Sequence, residues 1–167
     1  IELKEHRILD ENLKKLRSSY DKVFVCSSNW HGQKRLKANT DLFLKYEQEH
    51  PEEKCVLIVM GNNPDYTLKK TNILYTGNMP HELCLQVFYA ADWMIHLAWL
   101  DHCPNVVVEA LSQNCPVVCS SSGGTKEIVR KSGIVVPEIE EYDYRLTDYT
   151  SPPKIDISNI VIPNSAE

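Results

Sequence analysis

Residues 89–129 read YAADWMIHLAWLDHCPNVVVEALSQNCPVVCSSSGGTKEIV, and this stretch decides the fold class. Two short, largely apolar runs at 93–97 and 116–120 alternate in it with helix-like segments at 105–113 and 125–131. A strand with one face in water would alternate apolar and polar side chains, and these runs do not. Apolar strands separated by helices are typical of a parallel sheet that is covered by helices on both faces.

The same alternation continues on both sides of this stretch. Further strands are predicted at Lys22–Ser27, Cys55–Met60, 72–76 and Gly133–Val136. Further helices are predicted at 35–49 and from Pro80 to about Ala91, and Thr125 is the expected N-cap of the helix at 125–131. The sequence therefore predicts an α/β fold with a doubly wound, Rossmann-like parallel sheet of about six strands. In such sheets, ligands bind outside the carboxyl ends of the strands.

The two ends of the chain do not continue this pattern. Residues 2–19 are charged, with a thin apolar stripe, which predicts a surface helix or a linker. Residues 138–167 are predicted to be an irregular C-terminal extension, with room for one short strand or helix near 155–162. We therefore expect one Rossmann-like domain over residues 1–137. Because the chain starts with Ile1 and the pattern fades after Val136, we also expect it to be part of a longer protein.

Composition limits the possible partners. The chain has 167 residues, of which 43% are hydrophobic and 25% are charged, as in one ordinary globular domain. The formal net charge of −5 argues against nucleic acid and against a membrane surface as general partners, since both need a basic face. No apolar run approaches the roughly 18–20 residues that a membrane span needs.

The placement of the six cysteines indicates whether the protein works in a reducing or an oxidising compartment. They form no C-x-x-C pair, and most lie inside apolar runs. Buried, reduced thiols fit this placement better than the alternative, a disulfide scaffold, because such scaffolds are usually small and poor in core. The spacing supports no structural zinc site. We therefore expect a cytoplasmic location.

The stretch 97–109, LAWLDHCPNVVVE, is the strongest candidate for chemistry. It carries Asp101 in a loop and then enters a helix at Pro104, and the N–H groups at the start of a helix attract phosphate. Asp101 and Glu109 would repel phosphate, so as hydrogen-bond acceptors they suit sugar hydroxyl groups on either side of it. The alternative is that Asp101 is an ordinary loop residue and Glu109 an exposed helix residue.

Two further loops end at the same edge of the predicted sheet. Gly123 and Gly124 either allow a ligand to approach the backbone or simply form a tight turn. Lys34 and Arg35 either neutralise phosphate or are a solvated pair at a helix start. Neither a G-x-G-x-x-G nor a G-x-x-x-x-G-K-[ST] sequence occurs, which disfavours a dehydrogenase-type dinucleotide domain and a P-loop nucleotidase.

Taken together, residues 89–129 closely resemble the donor-binding domain of retaining GT-B glycosyltransferases, especially the family 4 group. Matching elements fall in order at Ala90-Ala91-Asp92, Cys103-Pro104-Asn105, Glu109-Ala110, Pro116-Val117-Val118 and Gly123-Gly124-Thr125-Lys126-Glu127. The resemblance covers about residues 22–136 and implies one half of a GT-B fold. The sequence departs from the family pattern in having Asp101 as the first acid, and Ser28 and Asn29 where an arginine is usual.

The resemblance also implies roles for individual residues. Glu109 would hold the nucleotide ribose, Asp101 the donor sugar, and Lys34 the departing diphosphate. The backbone N–H groups around Asn105 and Val106 would bind the diphosphate. The remaining candidates for donor contact are Asn78 and Met79 at the base, Arg35 in place of the missing arginine, and His102, Cys103, Gly123 and Gly124.

The implied activity is hexosyl transfer from a nucleotide-diphosphate sugar to an acceptor with retention of configuration, in polysaccharide or glycoconjugate biosynthesis. No metal or other cofactor is expected, because the helix N-terminus and Lys34 supply positive charge. An absent N-terminal domain would hold a sugar, lipid or protein acceptor and make any peripheral membrane contact, so this chain alone would be inactive. The alternatives are a nucleotide-sugar epimerase of the same architecture and a catalytically degenerate nucleotide-binding module.

Overall fold

A computed structural model of the chain describes residues 9–145, 148 and 150–164. Its centre is one six-stranded sheet in the order β3-β2-β1-β4-β5-β6, and every pair of neighbouring strands is parallel. The strands are β1 Lys22–Ser27, β2 Cys55–Met60, β3 Ile73–Gly77, β4 Trp93–His96, β5 Val117–Ser120 and β6 Gly133–Val136. The helices are α1 Glu11–Ser19, α2 Leu36–Glu49, α3 His81–Ala90, α4 Asn105–Ser112 and α5 Thr125–Val129, and a short 3-10 turn at Gly32–Lys34 precedes α2.

The structure confirms the predicted doubly wound α/β sheet. Strands β1, β2 and β6 have the predicted bounds. Strand β3 is shifted by one residue at both ends, and β4 and β5 are each one residue shorter than predicted. Helices α2 to α5 also end within about two residues of their predicted limits. Helix α1 falls inside the predicted segment 2–19, of which residues 2–8 lie outside the described part of the chain.

The predicted cap of α5 is wrong. Gly124 occupies the N-cap position and Thr125 is the first helical residue. The Thr125 hydroxyl is buried and donates to the backbone oxygen of Asp101 at 3.1 Å instead of capping its own helix. A side chain that faces a neighbouring loop cannot also turn back to its own helix, so a long-range contact replaces the local cap.

Each face of the sheet carries its own core. Helices α1, α3, α4 and α5 cover one face, where Val25, Met94 and Phe88 are buried. Helix α2 covers part of the other face, and the chain after β6 covers more of it, with Ile162 only 3% exposed. The described residues of that C-terminal segment form no helix or strand beyond an isolated bridge between Glu138 and Ile155. The domain boundary at residue 137 stays a prediction.

The strand order places the crevice of the sheet between β1 and β4. Chain connections lead away to opposite sides at this point, because β2 and β3 lie beyond β1 whereas β5 and β6 lie beyond β4. Loops that diverge at such a switch point leave a crevice at the carboxyl ends of the strands. The loops after β1 and β4, which carry Lys34 and Asp101, therefore lie side by side.

Candidate functional site

The N-terminus of α4 is the centre of the candidate site. Pro104 occupies its N-cap position and provides no side-chain cap. Its carbonyl accepts from the N–H groups of Val107 at 3.1 Å and Val108 at 3.4 Å. The N–H groups of Asn105 and Val106 find no acceptor in the described part of the chain. Free N–H groups and the partial positive charge of a helix N-terminus together form a binding site for an anion.

Two pockets of similar size flank this helix start. The first, which we call the Asn78 pocket, has a volume of about 430 Å³ and is lined by Ser27, Ser28, Asn29, Met60, Gly61, Asn62, Asn63, Gly77, Asn78, Met79, Cys84 and Val106. The second, which we call the Asp101 pocket, has a volume of about 420 Å³ and is lined by Gln33, Lys34, Leu100, Asp101, His102 and Cys103. A ligand with two dissimilar parts joined by an anion fits this arrangement.

Lys34 and Asp101 meet across the switch point. The Lys34 Nζ lies 2.6 Å from Asp101 Oδ2, and the His96 Nε2 lies 3.2 Å from the same oxygen. Burial by itself would raise the pKa of the Asp101 carboxyl, but the hydrogen bonds from His96 and Lys34 and their charge outweigh it. The pKa of Asp101 therefore lies well below its usual range, and the group is a carboxylate at neutral pH.

Glu109 lies beside the other pocket. It is on α4, one turn beyond Val106, and its Oε1 lies 3.1 Å from Nε2 of the exposed His81. Burial, and then the charge of Glu109, raises the pKa of the neighbouring Cys84 thiol, and Cys84 lines the Asn78 pocket. Glu109 therefore lies near one pocket without lining it, whereas Asp101 lines the other.

The structure corrects the predicted role of Arg35. Its guanidinium is 4% exposed and forms two hydrogen bonds, of 2.6 and 3.0 Å, with Glu138, whose side chain is 6% exposed. It also donates to the backbone oxygens of Leu97 at 3.2 Å and Pro153 at 2.7 Å. Because these contacts hold the charge inside the protein, Arg35 attaches the C-terminal segment to the sheet, and it lines neither pocket.

The glycine pair also has a role within the protein. A Cβ atom on Gly123 would lie 2.4 Å from the backbone oxygen of Asp101, and one on Gly124 would lie 2.2 Å from that of His102. Gly123 has a φ of +67°, which further favours glycine. The pair thus allows the loop after β5 to pack against the Asp101 loop, and neither glycine lines the two pockets.

The serines before the glycine pair support the same loop. The Ser122 hydroxyl accepts from the N–H of Leu100 at 3.0 Å and lies 2.7 Å from the Ser120 hydroxyl. Ser120 in turn donates to Glu138. Of the remaining predicted donor contacts, His102 and Cys103 line the Asp101 pocket, while Asn78 and Met79 line the Asn78 pocket.

Two residues of this region were missing from the sequence prediction. His96 is buried and contacts Asp101, and its signal was a polar residue at the carboxyl end of an otherwise apolar strand. Glu138 is the partner of Arg35, from which it is separated by 103 residues, and it directly follows Pro137 after β6. Only the first contact is local enough for a sequence pattern to indicate.

All six cysteines are free thiols. Cys26, Cys55, Cys115 and Cys119 are buried, Cys84 is partly buried, and Cys103 is exposed. Burial raises the pKa of Cys55 and Cys119 to about 11. In the described ranges 9–145, 148 and 150–164, no cluster of three or more His, Cys, Asp or Glu side chains is arranged to hold a metal ion. No helix within those ranges is both long and apolar enough to cross a membrane.

The strand order is that of a doubly wound, Rossmann-like sheet, and comparison with known proteins identifies the family. The sequence model of the family described as glycosyl transferases group 1 matches residues 21–147. The chain belongs to this family. TuaC of Bacillus subtilis (strain 168), whose name assigns it to teichuronic acid biosynthesis as a glycosyltransferase, is 29% identical over 75 residues, or 44% of this chain and 19% of TuaC.

Solved structures show the same fold. Anabaena HepE, determined in complex with UDP-glucose, has a TM-score of 0.60 and 17% identity over 80% of this chain and 40% of HepE. WaaG, a glycosyltransferase involved in lipopolysaccharide biosynthesis, has a TM-score of 0.59 and 14% identity over 79% of this chain and 39% of WaaG. The chain therefore spans less than half the length of these relatives.

Proposed function

We propose that this domain binds a nucleotide-sugar donor across the N-terminus of α4. The observation that carries the proposal is the uncapped helix start between two pockets, one beside Glu109 and the other containing Asp101 and Lys34. The diphosphate would accept hydrogen bonds from the N–H groups of Asn105 and Val106. The nucleoside would occupy the pocket of Asn78 and Met79, and the sugar would occupy the Asp101 pocket.

The chemistry of this placement is transfer of the sugar from the diphosphate to an acceptor. As the bond to the sugar breaks, negative charge develops on the departing diphosphate. The Lys34 ammonium has three N–H donors, of which one is directed at Asp101, so two remain for phosphate. We propose that these donors and the helix N-terminus stabilise the leaving group without a metal cofactor.

The rest of the proposal concerns the whole protein. We propose a retaining hexosyltransferase in which a second domain holds a sugar, lipid or protein acceptor, acting in the cytoplasm in polysaccharide or glycoconjugate biosynthesis. Membership of the glycosyl transferases group 1 family supports transfer over the epimerase alternative. The complex of HepE with UDP-glucose supports a nucleotide sugar as the donor. The six free thiols support a reducing compartment.

The first test is calorimetric titration of the chain with UDP, GDP and ADP. We expect at least one of them to bind with a Kd of roughly a millimolar or tighter, which corresponds to about 4 kcal/mol. The matched nucleoside, without a diphosphate, should bind at least about tenfold more weakly, since it makes no charge-assisted hydrogen bond to the helix N-terminus. Failure of all three diphosphates to bind at millimolar concentration would contradict the proposal.

The two acids should differ in their effect on binding of that nucleoside diphosphate. Glu109→Ala is expected to weaken binding about fivefold to tenfold, because it removes a charged acceptor for the ribose hydroxyls. Asp101→Ala should leave binding unchanged or tighten it, because it frees Lys34 for phosphate. The measurement is the Kd of both variants under one set of conditions. A greater loss in Asp101→Ala than in Glu109→Ala would reverse the assigned roles.

A further inference from the structure

We propose that His96 is a positioning residue that orients the Asp101 carboxylate toward the donor sugar. The inference rests on the proposed function, because it concerns the same site. His96 would not contact the donor itself. It would hold Oδ2 of Asp101 so that the second oxygen, Oδ1, is presented to a sugar hydroxyl.

The contact geometry separates the two carboxylate oxygens of Asp101. Oδ2 accepts from Lys34 at 2.6 Å and lies 3.2 Å from His96 Nε2. Oδ1 accepts no hydrogen bond from the described part of the chain. Two donors that converge on one oxygen fix the rotation of the carboxylate, while the other oxygen keeps its full capacity to accept. Since Asp101 lines its pocket, that capacity is available to a ligand.

The His96 side chain is enclosed by the core, whereas the Lys34 side chain is partly exposed. The His96 side chain is 4% exposed and stands on β4, a central strand of the sheet. Strand alternation places it on the same face as Met94, which is fully buried. Lys34 has a flexible stem and is 19% exposed, and by the proposed function it must also reach phosphate. His96 is therefore the donor that can keep Asp101 oriented while Lys34 moves.

A purely structural role explains this contact less well. A buried polar side chain needs a hydrogen-bond partner, and backbone groups usually provide it. Ser120, which occupies the last position of β5, bonds the side chain of Ser122 in the following loop and that of Glu138 after β6. His96 ends the neighbouring strand and bonds Asp101, a carboxylate that lines a pocket beside the α4 N-terminus.

The test compares His96→Leu with His96→Gln in the 167-residue chain. Gln retains an N–H donor near the position of Nε2, whereas Leu fills a similar volume but has no hydrogen-bond donor. For each variant, the Kd is measured with the pairs UDP and UDP-glucose, GDP and GDP-mannose, and ADP and ADP-glucose. Within each pair, the Kd of the free diphosphate divided by the Kd of the nucleotide sugar measures how much the sugar contributes to binding. His50→Leu is the matched control, because His50 stacks on Tyr46 at the opposite edge of the sheet.

We expect His96→Leu to lower the sugar contribution about fivefold to tenfold and to change the Kd of the free diphosphate less than twofold. His96→Gln should restore the sugar contribution to within about twofold of the wild-type value. His50→Leu should leave it unchanged. A full sugar contribution in folded His96→Leu, or none in the wild-type chain, would overturn the inference while leaving diphosphate binding intact. Failure of every diphosphate to bind would overturn the proposed function as well.

A second measurement needs no ligand. The Asp101 carboxyl carbon can be followed by NMR through an acid titration of each variant. If His96 donates to Asp101, its replacement by Leu raises the pKa of Asp101, and Gln restores a lower value. An unchanged titration in His96→Leu would show that the contact does not act on the carboxylate and would overturn the inference.

Discussion

Arg35→Met is expected to lower the free energy of unfolding by about 3–5 kcal/mol, because it leaves the Glu138 carboxylate buried without its cation. The pair is almost fully enclosed, at 4% and 6% exposure. The same guanidinium bonds the carbonyls of Leu97 and Pro153 and lies 5.9 Å from the centre of the Trp99 ring. Its removal therefore leaves several groups without a partner at once.

Replacing both residues distinguishes the cost of leaving Glu138 without its cation from the cost of losing the whole ion pair. In Arg35→Met/Glu138→Leu, both charges of this pair are removed, so most of the lost stability should return. Lys14→Met is the matched control, since it breaks an exposed pair with Glu11. Such a pair contributes less than about 0.5 kcal/mol. Urea unfolding of the four proteins measures these differences. A loss below about 1 kcal/mol in Arg35→Met would mean that the pair is not buried in solution.

The position of Arg35 shows why the sequence predicted its neighbourhood but not its role. It directly follows Lys34 at the carboxyl edge, and both were predicted to face phosphate. In the structure Arg35 has a φ of +51° at the junction between the 3-10 turn and α2, and the two side chains make different contacts. Lys34 reaches the Asp101 pocket and Arg35 reaches Glu138. A partner 103 residues away leaves no local trace in the sequence.

Strands were easier to predict than the contacts between loops. The runs KVFVCS and CVLIVM gave β1 and β2 at their observed bounds, because β-branched apolar residues mark a strand buried on both faces. The alternation of strands and helices gave the parallel sheet and its carboxyl edge. Gly123 was predicted to meet a ligand or make a turn, whereas it packs against the backbone of Asp101. Contacts between loops depend on the three-dimensional path of two segments, which periodicity does not describe.

For Asp101 and Glu109, the sequence predicted the positions of the acids but not their contacts. Their spacing placed one acid before a helix and the other inside it, and the structure has this arrangement. The partners of the acids were not predicted: His96 for Asp101 and His81 for Glu109. His96 is five residues from Asp101, so a polar residue at the end of an apolar strand could have indicated it. His81 is 28 residues from Glu109 and had no such signal.

Asn105→Pro is expected to weaken binding of the nucleoside diphosphate about 10- to 100-fold, which corresponds to one charge-assisted hydrogen bond of about 1.5–3 kcal/mol. Asn105 is the first residue of α4 and is exposed. Its backbone N–H finds no acceptor in the described part of the chain. Proline lacks this N–H, and its ring lies where the phosphate oxygen would approach.

The fold should tolerate this change. Proline is favoured at the first position of a helix, since its fixed φ suits the helix and the missing N–H had no intrahelical partner. A residue before proline must avoid the helical region, and Pro104 already has a φ of −72° and a ψ of 113°. The free energy of unfolding should therefore change by less than about 0.5 kcal/mol.

Two controls isolate the backbone donor. Asn105→Ala removes the side chain but keeps the N–H, so it should bind the diphosphate as the wild-type chain does. Glu11→Pro makes the same replacement at the first residue of α1, where Asp10 has a φ of −52° and a ψ of 143°, away from both pockets. It should leave binding unchanged. Calorimetric titration of the three variants gives the result directly. Wild-type affinity in Asn105→Pro would contradict binding of the diphosphate at the α4 N-terminus. Equal losses of affinity in Asn105→Ala and Asn105→Pro would show that the Asn105 side chain, and not its backbone N–H, makes the contact.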